Sequence, residues 1–178
     1  MTRSHVILIG GRSGVGKSSV AAELHHQLIA LDVRHAWIEG DNLDMAHPMP
    51  WRAGHRVAEH SLAAMWANYR ALGYARLIYT NTASVHPEQV ASLTRALGDD
   101  PVVTAALLTA TDETADARLC RREIGSEFAA SSERSRVAAR ELELEAGSDV
   151  VRVPTDQRTV EDIALQIIEL AGWQLSAS

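Results

Sequence analysis

Residues 5–19 constrain this chain more than any other stretch. Val6 to Ile9 is a short apolar run rich in β-branched side chains, which predicts a buried parallel strand. Gly11-x-x-x-x-Gly16-Lys17-Ser18 follows at once, and Val20, Leu24, Leu28 and Leu31 then recur at helix spacing. A strand, a glycine-rich turn with Lys-Ser, and a helix in immediate succession match a phosphate-binding loop at every position.

The residue types explain the chemistry. A polyphosphate needs many donors close together, and a glycine-rich turn can point successive backbone N–H groups inward without Cβ clashes. The helix that starts near Gly16 adds unpaired N–H groups and its positive dipole end. Lys17 is expected to reach the β- and γ-phosphates, and the Ser18 hydroxyl to sit on Mg²⁺. The whole run of Gly11, Arg12, Ser13, Gly14, Val15, Gly16, Lys17, Ser18 and Ser19 is expected to line the nucleotide.

Composition excludes several classes. At 178 residues the chain suits one domain with a good core, and a net charge of −6 argues against a protein that coats nucleic acid. No stretch approaches 18 consecutive apolar residues, so no membrane span is expected, and the N-terminus shows no secretory leader pattern. Cys120 is the single cysteine, which rules out an intrachain disulfide and suits the reducing cytoplasm. Between Leu119 and Arg121 it reads as a half-buried small residue rather than a nucleophile.

Four more strand patterns follow the first, near residues 35–39, 75–80, 101–108 and 149–153, with helical patterns between them. This alternation predicts an α/β fold: a three-layer, doubly wound, five-stranded parallel sheet with right-handed crossovers. Ligands of such sheets lie at the carboxyl ends of strands. That edge receives Asp41 and Asp44 after the second strand, and Asn81 after the third. Residues 52–72 read as one long helix, with Arg52, His55, Arg56 and Glu59 on its first turns. Trp51, in the proline-containing loop before it, is placed to stack on a flat substrate. The eight histidines show no zinc-site spacing.

A phosphate loop alone does not separate GTPases, motors and kinases. The guanine-reading Asn-Lys-x-Asp is absent, and no Asp is followed by Gly three residues on. Arg118, Arg121 and Arg122 precede a small-residue stretch with Arg134 beyond it. Such a cluster suits a lid, over about residues 118–136, that closes on transferring phosphates.

Gly40-Asp41-Asn42, one strand after the loop, resembles the Gly-Asp-Asn of adenylylsulfate kinases, and gluconate kinases carry a similar Gly-Asp. Arg118-Leu119-x-x-Arg122 is similar to the lid opening of gluconate kinases. Chloramphenicol phosphotransferase and the tunicamycin-resistance proteins belong to the same broad group. This resemblance implies the kinase type of the phosphate-loop fold. It implies Asp41 as the base for a substrate hydroxyl or a water-mediated Mg²⁺ ligand, Arg118 on the phosphates, and Arg122 stacked on adenine. Thr155 and Asp156 would lie beside the base. Asp44 stands where adenylylsulfate kinases carry a substrate-contacting arginine, so a dianionic sulfate ester is poorly received here.

The expected activity is therefore ATP- and Mg²⁺-dependent transfer of the γ-phosphoryl group to a hydroxyl of a small molecule. Asp41, Asp44, Trp51, Arg52, Arg56 and Asn81 are expected to face that molecule, and Lys17, Asp41, Arg118 and Arg122 to carry the chemistry. The alternatives are a non-catalytic ATP sensor and a resistance factor for a nucleoside-type antibiotic. No feature of the chain speaks to oligomeric state.

Overall fold

The computed structural model describes residues 2–122 and 128–174. Five parallel strands form one sheet in the order β2-β3-β1-β4-β5. They are β1 (His5–Gly10), β2 (Ala36–Glu39), β3 (Arg76–Thr80), β4 (Val102–Thr109) and β5 (Val151–Pro154). The helices are α1 (Lys17–Ala30), α2 (Val57–Ala71), α3 (Pro87–Leu97), α4 (Asp112–Arg122), α5 (Phe128–Glu145) and α6 (Val160–Ala171).

The apolar run of β1 has two faces to bury, and the period of two divides it between two cores. Ile7 and Ile9 join Ile78, Leu108 and Val153 under α1 and α6, with Leu24, Leu28, Ile163 and Ile167 packed against them. Val6 and Leu8 join Leu77, Tyr79, Ala105 and Leu107 under α2, α3 and α5, where Leu62, Trp66, Leu93 and Leu142 close the layer. Each fully buried Ile or Leu here contributes about 1.5–3 kcal/mol relative to an exposed one. This division of helices is what right-handed crossovers produce for the strand order. Pro154 has no N–H to donate and lies at the end of β5, on the sheet edge, where none is required.

The helix expected over residues 52–72 is shorter than the sequence suggests. A single 3₁₀ turn, Pro50–Ala53, comes first, and Gly54 ends it at φ +77°. Helix α2 then starts at Val57. Arg52 and His55 therefore precede the helix, Arg56 is its N-cap residue, and only Glu59 lies in its first turn. Cys120 is exposed on α4 rather than half-buried. The histidines also pair where spacing gave no sign of it. His35 Nδ1–H donates to Val33 O at 2.7 Å, leaving Nε2 to accept from His25 Nδ1 at 2.8 Å. Burial lowers the pKa of His35, which favours its neutral form. Among the described residues, no helix is long and apolar enough to cross a membrane.

Candidate functional site

The turn from β1 into α1 builds a cradle. Gly14 sits at φ +82°, and a Cβ there would lie 2.6 Å from Ala115 O and 2.9 Å from Leu119 Cγ. Only glycine lets the loop lie this close to α4. Gly16 precedes α1 in the left-handed region with no side-chain cap, so the first N–H groups of the helix have no capping side chain. These groups and the dipole of α1 favour an anion at this spot. Ser13, Gly14, Gly16, Lys17, Ser18 and Ser19 line a cavity of about 280 Å³, together with Asp41, Thr82, Arg118 and Leu119.

Lys17 Nζ donates to Gly11 O at 2.8 Å and Arg12 O at 3.2 Å, which arches its ammonium over the loop. Arg118 Nη1 donates to Val15 O at 3.1 Å and to Thr155 Oγ1 at 3.0 Å, and the same guanidinium lines the cavity. It therefore ties the loop to the turn after β5 while facing the phosphate space.

Two loop side chains turn elsewhere. Arg12 is 3% exposed and points behind the loop. Its Nε donates to Ser135 Oγ at 2.8 Å, and its Nη1 pairs with Asp112. Ser135 Oγ in turn donates to Ser13 O at 2.8 Å, so α5 holds the back of the cradle. The Val15 side chain belongs to the core beneath α1. Arg12 and Val15 thus have only backbone groups to offer a nucleotide, which narrows the sequence expectation.

A second cavity of about 550 Å³ adjoins the first, and Asp41 lines both. Gly40, Asp44, Trp51, Gly54, His55, Arg56, Glu59, Tyr79, Asn81 and Gln89 form most of its remaining wall. Asp41 sits in the 3₁₀ turn Gly40–Asn42 at the end of β2. Asn81 Nδ2 donates to Asp41 Oδ1 at 2.6 Å, and Asn81 Oδ1 accepts from Ala83 N at 3.0 Å, which fixes the amide's orientation. Desolvation in the cleft raises the Asp41 carboxyl above its ordinary range, and Glu39 and Asp44 push the same way. The Lys17 ammonium and the Asn81 hydrogen bond oppose them.

The remaining expected residues divide. Asp44 and Trp51 line the second cavity, and Trp51 is 56% exposed. Arg52 is not in that wall; its guanidinium stacks over the Trp51 ring, 5.3 Å from the centroid. Arg56 lines the cavity but is engaged, donating to Glu59 Oε1 at 3.2 Å and Ser92 Oγ at 2.9 Å. Desolvation works against ionised Glu59, but hydrogen bonds from its own backbone, Ser92 and Arg56 together hold its carboxyl below the usual range. Thr155 is buried, and its hydroxyl donates to Thr109 O while accepting from Arg118. Asp156 accepts from Thr111 N and Oγ1, and hydrogen bonding from Thr114 and Thr111 keeps its carboxyl below the ordinary range. Both residues are thus occupied with joining β5 to α4. The side chain of Arg122 lies outside the described residues, as do residues 123–127 of the expected lid.

Tyr79 is a wall residue that sequence reasoning missed. Its ring fills the space where a Gly40 Cβ would stand, with Oη 2.3 Å from that point. Burial pushes the phenol well above its usual pKa, and Asp41, Asp44 and Glu59 add to the shift. A tyrosine one residue before the end of β3 was the available signal.

The oxygen donors also suit Mg²⁺, which binds through one or two protein oxygens plus phosphates. Ser18 Oγ and Asp41 face one cavity. Among the described residues, no group of three or more His, Cys, Asp or Glu side chains converges on a metal position.

Comparison with solved structures places this architecture. The Deinococcus radiodurans tunicamycin resistance protein matches over 96% of this chain and 96% of its own, at TM-score 0.63 and 20% identity. A gluconokinase from Sinorhizobium meliloti 1021 matches over 97% and 94%, at TM-score 0.62 and 16% identity. The Mycobacterium tuberculosis APS kinase, solved with AMPPNP and APS, matches over 97% and 99%, at TM-score 0.57 and 18% identity. The fold is that of the small phosphate-loop kinases. The adenylylsulphate kinase family model matches residues 3–68, a span that carries β1, the cradle, β2 and the Asp41 turn. No curated protein matches the chain significantly.

Proposed function

We propose that this protein is an ATP-dependent kinase that phosphorylates a hydroxyl of a small molecule. The observation that carries the reading is Asp41, the residue shared by the phosphate cavity and the larger cavity beside it. A carboxylate at that junction, oriented by Asn81, stands between a donor phosphate and an acceptor hydroxyl.

The acceptor oxygen forms a bond to the γ-phosphorus as the bond from that phosphorus to the β,γ-bridging oxygen breaks. The bridging oxygen keeps the electron pair and leaves as ADP, and the hydroxyl proton passes to Asp41. The backbone amides of residues 13–18 and the N-terminus of α1 hold the phosphates. Lys17 and Arg118 stabilise charge on the transferring group. Ser18 and Asp41 would hold Mg²⁺, which when bound would supply charge neutralisation to the phosphates. The AMPPNP complex of the M. tuberculosis neighbour supports ATP as donor. The lid remains part of this proposal, with Arg118 its described arginine on the cavity, and a cytoplasmic setting suits an ATP-consuming enzyme.

The test is ADP release, and phosphate transfer followed by mass, across a panel of hydroxylated metabolites and antibiotics. Acceptor-dependent ADP release that falls about 10²–10⁴-fold in Asp41→Asn, with ATP binding retained, is the expected result. Undiminished transfer by Asp41→Asn removes the base assignment. ATP binding without turnover on any acceptor favours the sensor reading.

A further inference from the structure

The wall of the acceptor cavity has a sign. Asp41, Asp44 and Glu59 line it against Arg56 and His55; among the described lining residues there is no lysine and no second arginine. Arg56 is spent on Glu59 and Ser92, and the Ser92 hydroxyl donates to the same Glu59 oxygen at 3.0 Å. That network cancels Glu59 against Arg56 and leaves Asp41 and Asp44 uncompensated from the acceptor side. Lys17 faces Asp41 from the phosphate side, where bound phosphates would claim it. Burial does most to disfavour ionisation of the Tyr79 phenol in this wall, and Asp41 and Asp44 add to it.

The rim adds an aromatic face. Trp51 is more than half exposed, and the Arg52 guanidinium already rests over its ring at 5.3 Å, so this indole accepts a cation. A carboxylate pair beneath an aromatic rim recognises a positively charged ring or chain and repels an anionic one.

We propose that the acceptor is a cationic amino alcohol, such as an amino-substituted sugar or cyclitol. Its ammonium is held by Asp44, its body lies against Trp51, and its hydroxyl reaches Asp41. This assignment rests on the kinase reading. The ammonium takes no part in bond making; the hydroxyl loses its proton to Asp41 and gains the phosphoryl group, as above.

The experiment compares amino sugars and aminocyclitols with their neutral hydroxyl and carboxylate counterparts. Binding is measured by calorimetry on protein loaded with a non-hydrolysable ATP analogue, and turnover by ADP release. The expected result is amine binding at least tenfold tighter than the neutral counterpart, with the carboxylate weakest. Added salt weakens the amine selectively, and Asp44→Asn brings the amine-to-neutral ratio toward one. Equal or tighter binding of neutral or acidic members overturns the charge assignment, and turnover of those members leaves the kinase reading standing. No binding by any amine also overturns it. Amine binding without turnover keeps the cavity's preference for cations but overturns the acceptor assignment together with the kinase reading.

Discussion

Gly40→Ala tests how tightly the Asp41 turn is registered against the sheet. A Cβ at residue 40 would lie 2.3 Å from Tyr79 Oη, 2.5 Å from Tyr79 Cζ and 2.8 Å from Thr80 O, whereas ordinary contact begins near 3.4 Å. The shortfall at the phenol is about 1 Å. The Tyr79 phenol borders the acceptor cavity and can give some way, but Thr80 O is backbone and cannot. The turn must therefore move outward, carrying Asp41 off the 2.6 Å hydrogen bond from Asn81. Overpacking of this kind costs about 1–3 kcal/mol, and for a chain of this size that lowers Tm by roughly 2–12 °C. A 1 Å displacement of a reacting group costs about 10²-fold in turnover. The cradle lies on a different turn, so ATP affinity should stay near that of the parent protein. The assays are kcat from ADP release, Kd for ATP by calorimetry, and Tm by calorimetric scan. Unchanged kcat, or ATP affinity that falls as steeply as turnover, would refute the argument that Gly40 registers Asp41 alone.

Lys17→Ala should weaken ATP binding by on the order of 10²-fold or more with the circular dichroism spectrum unchanged, since the cation lines the cradle cavity rather than the core; retained affinity in calorimetry would count against the cradle. Asp41 acts ionised and its pKa is raised, so activity should fall on the acid side at a pH above the ordinary carboxylate range. Asn81→Leu removes a hydrogen bond that favours the ionised form, so that limb should move to still higher pH, and a pH–rate profile with an unmoved limb would refute the coupling. Arg12→Ala should lower Tm, with a cost of about 1–3 kcal/mol, because Asp112 and Ser135 lose their buried partner; loss of ATP affinity without loss of stability would instead make Arg12 a phosphate ligand. Asp116 is held below its ordinary range by hydrogen bonds from Ser132 and Arg136. Its stabilisation of the α4–α5 contact is present above the unfolded carboxylate pKa and is lost as pH falls through the lowered folded value. Tm measured against pH should therefore drop more at acid pH for the parent protein than for Asp116→Asn.

Much of the architecture was legible because short-range rules coincide with the fold. The β1 run is apolar on both faces, so it had to be central, and the loop that follows has glycine where the backbone approaches α4. Asp41 was legible because strand exits converge on one sheet edge. Side-chain direction was not. Nothing local to Arg12 says that it turns toward Asp112 and Ser135, a hundred or more residues away in sequence. Arg52 read as a substrate contact, yet Gly54 at φ +77° separates its turn from α2 and leaves it over Trp51. Tyr79 was hidden for the opposite reason: a strand tyrosine reads as core, and here its core position also closes a cavity wall.

In the proposed reading, most of the phosphate cradle and most of the acceptor wall belong to separate connections of the sheet. The cradle comes from the link between β1 and α1, with Arg118 added from α4, while Asp44, Trp51, Arg56 and Glu59 all belong to the crossover from β2 to β3. A single crossover can therefore be rewritten, in length or in charge, without unseating the nucleotide. Grafting residues 43–59 from a relative with a different acceptor should move specificity as one modular unit, with Asp41 and Asn81 as the fixed hinge on which either version is hung.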